Sequence, residues 1–252
     1  MNQNIKSNKI YKILFVVSLF SIAMGFLESA VVIYLREIFY PQGFDFPLVP
    51  ITPDLILTEV LREAATLIML VSVGYLAGRN SATRFAWFLY SFAVWDIFYY
   101  VFLKLLIAWP ESLFTWDVLF LIPLTWTGPV LTPLLLTALM IAFTLLILRA
   151  DSLGYPVRLN RGEWSLLISG SLLTIVAFVT DYSRFILSRL SPGELSKTGL
   201  DEIKLIAASY VPDHFPWLLF AAGVMIISVT IFFYGRRIFK TALPDVESEA
   251  GT

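Results

Sequence analysis

Apolar residues run in six long stretches, at about 12–36, 57–78, 83–107, 129–149, 164–189 and 215–238, and polar residues gather between them. A helix that crosses a bilayer needs about 20 mostly apolar residues, so each stretch predicts a spanning helix. The apolar run of the first exceeds the core of a secretory signal and is followed by no obvious small-residue cleavage site, so it is expected to remain as a helix.

Charge fixes the expected orientation. Lys6, Lys9 and Lys12 precede the first stretch, Arg79 and Arg84 lie between the second and third, Arg149, Arg158 and Arg161 follow the fourth, and Arg236, Arg237 and Lys240 follow the sixth. The alternate connections carry Glu37, Asp45, Asp54, Glu111, Asp117, Glu194, Asp201, Glu202 and Asp213 with few bases. By the positive-inside rule both termini face the cytoplasm. The expected fold is therefore an all-α integral membrane protein of the cell membrane. It is a six-helix bundle forming a single transmembrane domain over 1–243, with a disordered acidic cytoplasmic tail at 244–252.

The outer connections are long. Pro41, Pro47, Pro50 and Pro53 fix several φ angles in 38–56, which predicts a stiff extended cap. Segment 112–127 is apolar but too short to cross, and Pro123 interrupts it, so it is expected to lie at the interface or re-enter between helices. Trp109, Trp116, Trp126 and Trp217 then fall at the outer headgroup level. In 191–210, the spacing of Ser191 and Glu194, with Pro192 between them, predicts a capped helix start ahead of a short amphipathic surface helix.

Composition agrees with this class and removes several chemistries. The chain has 252 residues, 58% of them hydrophobic and 15% charged, with mean hydropathy +0.78 and formal charge −1. Without cysteine there is no thiolate zinc, iron–sulfur cluster or cysteine nucleophile, and His214 alone cannot make a bis-histidine haem or a three-histidine zinc site. No stretch outside the cytoplasmic anchors is basic enough for nucleic acid.

Four acids, Glu28, Glu63, Asp96 and Asp181, sit within four of the apolar stretches at similar depth in the outer half. An ionised carboxylate there is costly, so such residues face the bundle interior and are functional candidates. On three outward-running helices an acid precedes a base by eight positions: Glu28 and Arg36, Asp96 and Lys104, Asp181 and Arg189. The rise per residue puts each acid about 12 Å below its base, so these are not intrahelical ion pairs. Arg36, Lys104 and Arg189 are expected to anchor at headgroups. Glu59, Arg62, Glu63 and Thr66 share one helix face, and Asp181, Arg184 and Ser188 share another. The inner halves, 14–24, 67–77, 85–95, 138–148, 164–176 and 222–234, carry no ionisable Asp, Glu, Lys, Arg or His. A one-sided site fits this pattern better than a path across the membrane.

The leading expectation is a carboxylate-rich site that binds a cation or protons and binds or acts on an anionic, lipid-like amphiphile from the outer face. In it Glu63, Asp96 and Asp181 are the candidate acid–base residues. Arg62, Arg184 and His214 are candidate ligand-binding groups, and Glu28, Glu63, Asp96 and Asp181 are candidate ligands of a hard divalent ion such as Mg²⁺, Mn²⁺ or Ca²⁺. Asp117 joins the site if its segment re-enters. Two other classes compete: a transporter or channel subunit with an outer cation vestibule, and a non-catalytic assembly protein whose outer cap meets a membrane partner or a second copy. A buried ion-pair network that only fixes helix packing accounts for the same acids without any ligand.

Overall fold

The computed structural model describes residues 3–191, 193 and 198–240. In chain order it has α1 (Gln3–Phe39), α2 (Pro53–Ala77), α3 (Ser81–Ile107), β1 (Trp116–Phe120), β2 (Trp126–Pro129), α4 (Leu131–Ser152), α5 (Arg161–Arg189), α6 (Leu200–Ala208) and α7 (Trp217–Lys240). Among the described residues five helices are long and apolar enough to cross a membrane: Asn8–Phe39 of α1, and α3, α4, α5 and α7. The architecture is that of an α-helical multi-pass membrane protein. The acidic tail and the expected cap contacts of Pro192 and Glu194 lie outside the described residues.

Helix ends follow local chemistry. Pro53 opens α2, where a missing backbone N–H costs nothing. Asn80 and Thr83 cap α3 reciprocally, as Asn160 and Glu163 cap α5, so two otherwise orphaned amides are satisfied at each start.

Segment 112–127 departs from the expected all-α fold. It supplies β1 and the start of β2, an antiparallel hairpin that pairs Trp116 with Pro129, Asp117 with Gly128, Val118 with Thr127 and Phe120 with Trp126. Pro123 falls in the connection between the strands, where its lack of an N–H breaks no ladder. A hairpin lets a short apolar segment satisfy its own backbone groups next to the helices.

At the centre, α3 packs against α1, α2 and α4, whereas α5 packs against α7 and receives β2. The α5–α7 seam depends on glycine. A Cβ on Gly223 would stand 2.7 Å from Thr174 Cγ2 and 2.8 Å from Gly170 O, so only hydrogen permits this approach. At the end of the bundle away from the hairpin, hydroxyls replace charges: Ser21 and Ser91 meet at 2.8 Å, and Thr144 donates to Ala86 O at 2.8 Å. Charges return at the rim, where Arg237 grips both oxygens of Glu163 at 2.7 Å and Arg158 O at 2.8 Å.

A polar cavity under the hairpin

Between α1, α2, α3 and β1 lies a cavity of about 60 Å3 whose polar lining includes Glu28, Arg62, Glu63, Thr66, Asp96, Tyr99 and Tyr100. Three of the four acids singled out by sequence therefore share one space. Arg62 is the hub: its Nη1 donates to Glu28, while Nε and Nη2 donate to Glu59 Oε2 at 3.0 and 2.7 Å. The i, i+3 spacing brings Glu59 to Arg62, and Glu28 comes across from α1. Glu63 has a different task. Both of its oxygens accept the Leu121 amide, at 3.0 and 2.9 Å, which fastens the hairpin turn to α2.

Asp96 is left over. Its Oδ2 is buried without a hydrogen-bond partner, as is Nε1 of its neighbour Trp95, which also lines the cavity. Unpaired buried polar atoms are uncommon and costly, so hydrogen bonding in this cavity is incomplete at Asp96 and Trp95.

A larger space of about 360 Å3 adjoins the first, sharing Val32, Arg62, Glu63, Tyr99 and Val118. Its walls are mostly apolar, from Leu35, Phe39, Leu48, Val49, Ile51 and Ile56 among others. Its charged residues are Arg36, Glu59, Arg62, Glu63 and Asp117. Residues 40–52 form one wall, held by aromatic contacts: Tyr40 on Phe44 at 5.1 Å, Phe44 on Phe46 at 5.6 Å, and Phe46 on Tyr210 at 5.9 Å.

Two residues expected at most at the margin belong to this vestibule. Arg36, expected at the headgroups, is 8% exposed and pairs with Asp117 at 3.4 Å. Its guanidinium lies over Trp109 at 3.7 Å and Phe44 at 4.3 Å, and its Nη1 has no acceptor. Tyr100 donates to the other oxygen of Asp117 at 3.2 Å. Burial pushes the Asp117 carboxyl above its usual range, against Arg36 and the Tyr100 bond, which hold it down. Arg36 and Asp117 are 81 residues apart, and only the hairpin reveals the pairing.

Three expected site residues lie elsewhere. Asp181 lines neither cavity; it accepts from the Tyr210 hydroxyl at 2.6 Å and from the amides of Asp213 and His214 at 3.2 Å each. It therefore ties the connection between α6 and α7 to α5. Burial first, and the bond to Asp181 second, raise the Tyr210 phenol, so it remains a neutral donor. The His214 side chain is 86% exposed and faces Asp213 at 3.2 Å; only its backbone takes part. Arg184 is exposed and lines neither cavity, so it does not join Arg62 in an anion clamp.

The expected four-carboxylate metal site is not formed. Glu28 is spent on Arg62, Glu63 on the Leu121 amide and Asp181 on the α6–α7 connection. Among the described residues no group of three or more His, Asp or Glu side chains is arranged to hold a metal ion, whereas a hard divalent ion takes about six or more oxygens. Compared with known protein families, curated proteins and solved structures, the chain shows no match in sequence or in fold.

Proposed function

We propose that this is a six-span membrane protein that binds an amphiphile at its outer face, with the polar head in the Asp96 cavity and the apolar body in the vestibule. The observation that carries this reading is a small polar cavity that shares a wall with a larger, mainly apolar chamber. Ligand sites combine an apolar wall with a few fixed polar groups in this way, and 360 Å3 lies in the range of small-molecule sites. The sixth span is α2, whose 25 residues reach about 37 Å at 1.5 Å each. The basic connections at the far end then face the cytoplasm, and the hairpin faces out.

The carboxylate-rich floor supports binding more directly than turnover. Glu63 is committed to the hairpin amide and Arg62 to two glutamates, which leaves Asp96 without the paired partner that acid–base chemistry asks for. The uncharged half below closes the site rather than continuing it as a path.

A test is photolabelling of the full chain in lipid nanodiscs with a phospholipid carrying a diazirine on its acyl chain. Labelled peptides are expected from 48–56 and 118–121, in addition to lipid-facing positions such as Phe15 and Leu19. Labelling restricted to the lipid-facing positions contradicts the reading.

A further inference from the structure

We infer that the head of the amphiphile is zwitterionic, with an ammonium group set against Asp96 and an anionic oxygen set against Arg36. This rests on the reading of the two adjoining spaces as one amphiphile site. Around the floor Glu28, Glu59, Glu63 and Asp96 face the single guanidinium of Arg62, and that guanidinium is already shared by Glu28 and Glu59. The surplus is negative, and the free acceptor is Asp96 Oδ2. A buried carboxylate surplus calls for positive charge or protons.

A metal ion does not answer the demand, because the oxygens do not converge. An ammonium group does: it needs one carboxylate and tolerates aromatic neighbours, and Trp95, Tyr99 and Tyr100 line the same cavity. The opposite need occurs in the vestibule. Asp117 occupies Arg36 Nη2, and Nη1 is buried without an acceptor. A phosphate or carboxylate oxygen on the ligand supplies that acceptor. One molecule carrying both charges on an apolar body satisfies Asp96 Oδ2 and Arg36 Nη1 together, whereas a purely anionic head leaves Asp96 Oδ2 without a partner and a purely cationic one leaves Arg36 Nη1 without one.

The test is native mass spectrometry of the detergent-purified full chain with three dioleoyl lipids in equal amounts. These are phosphatidylethanolamine, phosphatidylglycerol and a trimethylammonium-propane lipid without phosphate. Retention of the ethanolamine lipid is expected to exceed each of the others about tenfold, the scale of one charge-assisted hydrogen bond. Asp96→Asn is expected to abolish the advantage over the glycerol lipid, and Arg36→Lys the advantage over the cationic lipid. Equal or better retention of the glycerol lipid by the unaltered protein overturns the inference, and this arm needs no variant to fold. Failure to retain any lipid instead removes the amphiphile reading, and this inference with it.

Discussion

The two halves of the bundle solve the same problem in opposite ways. Away from the hairpin, every polar contact described closes on itself: serine on serine, threonine on a backbone carbonyl, and Glu163 gripped by Arg237 through both oxygens. Under the hairpin, charges are more numerous and less complete. Arg62 is divided between two glutamates, while Asp96 Oδ2, Trp95 Nε1 and Arg36 Nη1 have no partner. Where polarity serves only assembly, it is saturated; where it is left unsaturated, a cavity lies beside it.

The largest break in this contrast comes from removing the hub. Arg62→Ala leaves Glu28 and Glu59 uncompensated in a partly buried site, and a loss of about 3 kcal/mol is expected in reversible unfolding in detergent. A loss below about 1 kcal/mol would show the outer charges to be well hydrated, and the contrast would fail.

Overpacking the α5–α7 seam comes next. Gly223→Val places carbon where Thr174 Cγ2 and Gly170 O stand, and about 1–3 kcal/mol of destabilisation is expected from the same measurement, with lipid preference unchanged in the surviving fold. A shift in lipid preference would show that the halves are not separable.

The smallest effect sharpens the assignment of Asp181. Asp181→Asn weakens the Tyr210 bond and the contacts to two amides, so about 1 kcal/mol is expected. Hydrogen exchange at 210–214 should accelerate while lipid retention holds. Loss of lipid retention with unchanged exchange would return Asp181 to the binding site.

Much of this was legible from residues alone, and the misses share one cause. Hydrophobic run length located the helices, and the depth of Glu28, Glu63 and Asp96 pointed to three acids that line one cavity, although their oxygens do not meet at a point. Depth carries no azimuth, however, and Asp181 at the same level turns to the α6–α7 connection. The hairpin was masked because 112–127 reads as a weak apolar run; its strand signal is Trp116–Phe120, aromatic and β-branched with alternate faces, ahead of a turn containing Pro123. Without the hairpin, Asp117 had no reason to meet Arg36, and the Leu121 amide no reason to meet Glu63. The interior role of Arg36 depended on Trp109 and Phe44 both lying against its guanidinium, a contact no spacing rule supplies.

The most direct test of the central claim is an experimental density map of the full chain in lipid nanodiscs containing phosphatidylethanolamine. The account predicts an elongated feature in the vestibule whose compact end reaches within hydrogen-bonding distance of Asp96 Oδ2, with density also beside Arg36 Nη1. A vestibule collapsed on itself, or lipid density confined to the outer surfaces of the helices with Asp96 bonded to another side chain, would contradict it.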